Sequence, residues 1–162
     1  MDKRILELLN KQLNAELYSA YLYLSMAAYL DHKGLPGFAK WMRIQAKEEV
    51  EHAMKFYEYI NDRGERVVLE AIEKPPTEWE SITQLFEEGL KHEKSVTDSI
   101  NKIFEAAREL GDKPTEVFLH WFIDEQVEEE KTFSEILGML KLTQEQPHAL
   151  LMLDSRLAQR ED

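Results

Sequence analysis

Residues 45–56 read Gln-Ala-Lys-Glu-Glu-Val-Glu-His-Ala-Met-Lys-Phe, with no glycine or proline among them. Glu49 and His52 are three residues apart, so a helix places both side chains on one face. Met42 and Phe56 continue that face as an apolar seam at three- and four-residue spacing. A buried carboxylate is rare in such a seam unless it is paired or bound to a metal. The spacing alone is a weak signal, because it occurs by chance in many acidic helices.

Three other long segments carry an apolar seam that a polar residue interrupts near its middle. Glu16 interrupts the first segment, Glu93 the third, and Gln126 with Glu129 the fourth. Counted from the turns at 1.5 Å per residue, these positions agree in height within about 8 Å for each neighbouring pair of helices. The polar positions of all four helices are therefore predicted to meet at one level of the core.

The positions of the few glycine and proline residues, between long uninterrupted segments, predict an all-α fold. We expect one domain over residues 1–162, with helices at about 3–32, 36–63, 82–110, 114–140 and 147–159. The connections are short, long and short, and a long connection can run the length of a bundle. This predicts a four-helix bundle with one long crossover plus a short C-terminal fifth helix. An up-and-down bundle with a loose connection is the alternative; the apolar residues at 67–72 favour a connection packed against the helices.

The composition is strongly acidic, with 20 Lys and Arg against 32 Asp and Glu and a net charge of −12. Such a surface repels phosphate backbones and anionic lipid, so neither nucleic acid nor a membrane is expected as a partner. The absence of cysteine excludes disulfides, thiolate zinc sites and iron–sulfur clusters. No apolar run reaches membrane-spanning length, and we expect a cytoplasmic protein.

The chemistry of the interrupted seams favours a hard divalent metal. Carboxylates with a single imidazole suit iron or manganese. Without a cation, burial and mutual repulsion are expected to raise the pKa values of Glu16, Glu49, Glu93 and Glu129 as a coupled set.

The sequence resembles the prokaryotic non-haem ferritins over essentially its whole length. The resemblance rests on four stretches, residues 14–23, 48–54, 92–93 and 121–130. It implies a ferritin-like bundle with an intrasubunit diiron centre. Matched to the family pattern, the ligands of the first iron would be Glu16, Glu49 and His52. Glu49 would bridge to a second iron, whose site Glu93 and Glu129 would complete.

The same resemblance implies roles for further residues. Gln126 would lie beside the dioxygen pocket, and Tyr23 next to the diiron centre. A weaker third iron site would comprise Glu48, Glu125 and Glu128. The implied function is iron storage and detoxification by a ferroxidase, which oxidises Fe(II) with dioxygen or peroxide and deposits ferric oxyhydroxide inside a cage. The cage would contain 24 subunits, with the fifth helix packed against neighbouring subunits.

Departures from related families narrow this interpretation. The fourth helix has Gln126 where bacterioferritins and rubrerythrins begin a second Glu-x-x-His, and Val50 and Glu51 stand where bacterioferritins place a haem-ligating Met, so no haem is expected. Leu119 replaces an acidic residue of the family's threefold pore.

Two other functional classes stay open: a diiron peroxidase or oxidase that makes no mineral, and a structural cage without activity. Trp121 is expected to serve core packing rather than electron transfer.

Overall fold

The computed structural model describes all residues from Met1 to Asp162 and contains five α-helices and no strand. The helices are α1 (Lys3–His32), α2 (Pro36–Asp62), α3 (Ile82–Glu109), α4 (Lys113–Thr143) and α5 (Pro147–Leu157). α4 runs past its predicted end because its stop is Gln144, which adopts the left-handed conformation with φ 51°. α5 ends before the predicted 159, and residues 158–162 form a C-terminal tail. None of the helices is long and apolar enough to cross a membrane.

The connection between α2 and α3, residues 63–81, is a strap that runs along α1. Near the start of α1, the Asn10 side chain accepts the Val68 N–H at 2.9 Å. Near its end, the Tyr29 hydroxyl donates to the Trp79 carbonyl at 2.9 Å. The strap thus returns the chain to the end of the bundle where α2 began, and α2 and α3 run in the same direction. This is a four-helix bundle with one crossover.

The apolar residues at 68–72 do not pack the strap against the helices, contrary to the sequence-based expectation, whereas Trp79 near its other end is buried in the apolar core. Val67 packs partly against the core, but Val68, Leu69 and Ile72 are 49%, 61% and 42% exposed. The Asn10 side chain donates to the Arg66 carbonyl and accepts the Val68 N–H, so the main chain of the strap faces α1 and these side chains do not. The strap consequently leaves apolar surface on the outside of the bundle.

Two apolar clusters fill the interior, one on each side of a polar level. On α2, Glu49 and His52 lie between Met42 of the larger cluster and Phe56 of the smaller one. α1, α3 and α4 repeat this pattern, each with buried polar side chains between two apolar segments. Packing above and below therefore fixes the height of the polar side chains on all four helices.

Candidate metal centre

Acidic and imidazole side chains from all four long helices converge in the polar level. Each is at most 5% exposed: Glu16, Glu49, His52, Glu93 and Glu129. Their ligand atoms form two compact groups, Glu16–Glu49–His52 and Glu49–Glu93–Glu129, and within each group these atoms lie within 4.8 Å of one another. Glu49 belongs to both groups. The arrangement can therefore hold two cations with one carboxylate between them.

The first group is built across α1 and α2. His52 Nδ1 lies 3.3 Å from Glu49 Oε2 and 3.8 Å from Glu16 Oε2. Glu16 Oε2 is a buried oxygen without a hydrogen-bond partner. Such an atom costs free energy unless a proton donor or a cation satisfies it. Its position among three ligand-type side chains fits a metal ion.

The second group is held by neutral donors on α1 and α4. The Tyr23 hydroxyl donates to Glu93 Oε1 at 2.5 Å, and Gln126 Nε2 donates to Glu93 Oε2 at 3.1 Å. Both oxygens of Glu93 are thereby oriented. Tyr23 is fully buried and Gln126 is 4% exposed, and their hydrogen bonds to Glu93 place both beside the cluster.

Two glutamines to which the sequence interpretation gives no role also orient the carboxylates. Gln12 Nε2 donates to Glu16 Oε1 at 3.0 Å. Gln45 Nε2 donates to Glu49 Oε1 at 3.1 Å and to Glu129 Oε2 at 2.7 Å, linking α2 to α4. In each case the glutamine precedes a glutamate by four residues, and this i, i+4 spacing is the signal that could have identified them.

Burial and the closeness of other carboxylates raise the pKa values of three glutamates. Burial, with repulsion from Glu93, raises the pKa of Glu129 to about 9. Burial is also the main cause that raises the pKa of Glu93 to about 7. The pKa of Glu49 lies well above its ordinary value because of burial and the neighbouring Glu93 and Glu16 carboxylates. Without a cation, these acids tend to keep their protons near neutral pH.

Glu16 departs from the expectation that the whole set would shift upwards. Burial acts to raise its pKa, but the nearby His52, the neighbouring Glu49 carboxyl group and the Gln12 amide together lower it. The pKa of His52 moves in the complementary direction. Burial acts to lower it, while Glu16 and the other carboxylates raise it above its ordinary value. Glu16 and His52 thus form the charged pair of the cluster.

The three residues predicted for a further, weaker site do not form a cluster of their own with ligand atoms within 4.8 Å of one another. Glu125 joins His52 and Glu129 in a third cluster of ligand atoms within 4.8 Å. Glu48 belongs to none of these clusters. Its Oε2 instead forms an ion pair with Arg160 Nη2 at 2.9 Å. Glu128 is exposed and also lies outside them.

Trp121 is not a core residue, in contrast to the sequence-based expectation. Its side chain is 41% exposed, and the Lys55 ammonium lies 4.2 Å from the centre of its ring. The ring meets the His52 imidazole edge-on, with centroids 5.3 Å apart. Trp121 therefore covers the outer side of a candidate ligand and separates it from solvent.

The arrangement has counterparts among known proteins. Residues 6–143 match the family model of the ferritin-like domain. The chain belongs to the ferritin family. Among relatives of this ferritin chain, the bacterial non-heme ferritin of Staphylococcus epidermidis is 41% identical over 160 residues, which cover 99% of this chain and 96% of the relative. A probable bacterial non-heme ferritin-like protein of Haemophilus influenzae is 38% identical over 157 residues, covering 97% and 95% of the two chains.

The fold of this ferritin chain is shared with solved structures. An open pore ferritin from the hyperthermophilic archaeon Archaeoglobus fulgidus superposes with a TM-score of 0.98, at 47% identity and with 99% of each chain covered. The family and the fold class expected from the sequence, an all-α ferritin-like bundle with a fifth helix, are confirmed.

Proposed function

We propose that this protein stores iron: it oxidises Fe(II) at the buried cluster with dioxygen or peroxide and deposits ferric oxyhydroxide inside a cage of its own subunits. One observation carries the proposal, namely that Glu49 belongs to two buried ligand groups at once. Two adjacent Fe(II) ions can together supply two electrons, one from each ion. A pair of electrons reduces dioxygen to peroxide, or peroxide to water.

The ligand set supports iron as the substrate. Four carboxylates and one imidazole are hard and borderline donors, which suit iron. Oxidation raises the positive charge of each ion, so carboxylate ligands stabilise the ferric product more than the ferrous substrate. Of the candidate ligands, Glu16, Glu49, His52, Glu93 and Glu129 would bind the pair, while Tyr23 and Gln126 would orient Glu93.

Proton movement follows from the shifted pKa values. Glu49, Glu93 and Glu129 have raised pKa values without metal, and a carboxylate must lose its proton before it binds a cation. Iron binding should therefore release protons from these side chains. Glu16, whose pKa is lowered, is already ionised and provides the charge that attracts the first Fe(II).

The surface of the subunit supports self-association. An apolar groove between α1 and α2 is lined by Leu17, Tyr21, Leu24, Val50 and the strap residue Ile72, among others. α5 exposes Leu151 and Met152, which are 55% and 75% exposed. Apolar surface of this kind marks contacts with other chains. We propose that it is covered by further copies of this subunit in a cage of 24.

One experiment separates this proposal from the two alternatives. Apoprotein is mixed aerobically with a large excess of Fe(II), and ferric iron is followed by absorbance and by sedimentation. A soluble ferric core that sediments with the protein supports storage. Iron oxidation faster than in buffer, without a core, would indicate an oxidase. Neither oxidation nor a core would indicate a structural cage.

A further inference from the structure

The C-terminal tail reaches the candidate metal centre through a single arginine. Arg160 Nη2 donates to Gln45 Oε1 at 2.9 Å and to Glu48 Oε2 at 2.9 Å, and Nη1 donates to the Trp41 carbonyl at 3.1 Å. The guanidinium also lies over the Trp41 ring, 4.3 Å from its centre. Its side chain is 17% exposed. Arg160 is thus held on α2 by a ring face and three acceptors.

The contact with Gln45 determines which way the Gln45 amide faces. A guanidinium has only donors, so it requires the amide oxygen, while the amide NH₂ is left to face Glu49 and Glu129. Gln45 is 1% exposed, so bulk solvent does not compete for the atoms of its amide. A reversed amide would turn its oxygen towards two carboxylate oxygens and its NH₂ towards the guanidinium. Arg160 therefore selects the orientation in which the amide NH₂ faces the two acids.

The tail can hold Arg160 in place because α5 is docked on α2 of the same subunit. Asp154 Oδ1 accepts the Phe38 N–H at 2.8 Å, at the first turn of α2. The two backbones approach so closely that a Cβ on Gly37 would lie 1.9 Å from the Asp154 carbonyl oxygen. Further along, Lys40 Nζ donates to the Ala158 carbonyl at 3.0 Å. The path from α5 to Arg160 is therefore attached to α2 at successive points.

We propose that Arg160 is a positioning residue for the metal centre: through the Gln45 amide, it holds Glu49 and Glu129 in the geometry that binds the second cation. This inference rests on the proposed function for its biological meaning, but the contacts stand without it. A consequence is that the last residues of the chain set the metal affinity of a site deep in the bundle. Partners of metal ligands typically change affinity by about 10–100-fold when they are removed.

Cobalt binding tests this without requiring iron oxidation. Co²⁺ is titrated anaerobically into the full-length apoprotein, and its visible absorption bands report occupancy and coordination. The variants are Arg160→Ala, Gln45→Met and the double variant, with Arg156→Ala as the matched control. Arg156 is an exposed basic residue on α5 whose side chain makes no hydrogen bond or ion pair. Far-UV circular dichroism and apoprotein melts verify that each variant is folded.

We expect Arg160→Ala and Gln45→Met each to weaken the second Co²⁺ by about tenfold, with Arg156→Ala like the wild type. In the Gln45→Met background, Arg160→Ala should produce no further loss, because its effect passes through Gln45. Wild-type affinity in Arg160→Ala would overturn the proposal. So would an Arg160→Ala effect on affinity that is as large in the Gln45→Met background as in the wild type. Aerobic iron oxidation by the wild type is measured in parallel; failure there would reject the proposed function and leave the cobalt result to decide the role of Arg160.

Discussion

His52 Nδ1 lies 3.8 Å from Glu16 Oε2, across the interface between α2 and α1. The distance is that of an ion pair rather than a hydrogen bond, and the carboxylate oxygen has no other partner. Glu16 is nevertheless the acid of the cluster whose pKa is lowered, while the pKa of His52 is raised. Without metal, the centre therefore carries a negative charge at Glu16 that His52 balances in part. A first cation would displace the proton of His52 and take its place beside Glu16.

Removing this pair should slow iron oxidation. We expect His52→Ala and Glu16→Ala to lower the initial rate at substoichiometric Fe(II) by at least about tenfold, because each removes a ligand of the first ion and losing only the partner of a ligand already costs about 10–100-fold. Stopped-flow absorbance of ferric iron measures the rate. His120→Ala removes an exposed imidazole on α4 and should behave as the wild type. An unchanged initial rate in His52→Ala would refute the ligand assignment.

Replacing Glu49 with glutamine should stabilise the fold without metal. Burial and the neighbouring carboxylates raise the pKa of Glu49, so the carboxyl group destabilises the fold as pH rises above its unfolded pKa near 4.3. A glutamine side chain at this position needs no proton and can keep the hydrogen bond from Gln45. We therefore expect a higher free energy of unfolding for the apoprotein of this variant at pH 7. The same change should abolish tight binding of the metal pair.

Thermal melts of metal-free protein, with Glu51→Gln as the control, measure this effect. Glu51 is exposed on the same helix, and its replacement should leave the melting temperature nearly unchanged. A lower melting temperature for Glu49→Gln than for the wild type would mean that the Glu49 carboxyl group stabilises the metal-free centre.

The stability of the apoprotein should fall as pH rises from about 4.3 towards 9. Glutamates with raised pKa values are protonated in both states at low pH and cost nothing there. Their unfavourable contribution to the free energy of folding grows above the unfolded pKa near 4.3. It levels off above the folded pKa values, about 7 for Glu93 and about 9 for Glu129. His52, with a raised pKa, adds a contribution of the same sign, since its stabilisation is lost as pH rises. Glu16, whose pKa is lowered, contributes stability that increases with pH, but this increase is confined to acid pH.

Metal should reverse this pH dependence, because bound cations compensate the ionised carboxylates. The difference in melting temperature between protein with Co²⁺ and protein with chelator should increase from pH 5 to pH 8. A difference that stays constant over this range would show that the buried acids do not titrate with metal binding.

The predicted third site should affect later turnovers rather than the first. Glu128 is exposed and lies outside the clusters of ligand atoms, so Glu128→Ala should leave the initial rate unchanged. Repeated additions of Fe(II) should instead reveal a changed rate in the second and later cycles. A loss in the first cycle equal to that of His52→Ala would place Glu128 in the diiron centre itself.

The sequence predicts the level of the site well because helical periodicity and turn positions determine it. Glu16, Glu49, Glu93 and Glu129 interrupt apolar seams at matching heights, and no tertiary contact is needed to see this. The lowered pKa of Glu16 depends on its distance to His52, which periodicity does not provide. The outward-facing strap residues likewise depend on hydrogen bonds made by Asn10.

Contacts between segments far apart in the chain are also beyond the reach of sequence patterns. Arg160 is separated from Gln45 by the whole of α3, α4 and α5, and a basic residue near a C-terminus carries no local signal for such a contact. The sequence predicts Trp121 in the core because large aromatic residues are usually buried, whereas here its ring covers His52 from outside.

Whether the buried cluster itself oxidises iron is tested by a single aerobic mixing experiment at two Fe(II) per subunit. Ferric absorbance is recorded by stopped flow for the wild type, for Glu49→Gln and for buffer without protein. We predict rapid oxidation by the wild type and a rate near that of buffer for Glu49→Gln, which lacks the shared carboxylate. Equal rates in the wild type and in Glu49→Gln would mean that oxidation does not depend on the residue that joins the two ligand groups, and the buried cluster would then not be the site of oxidation.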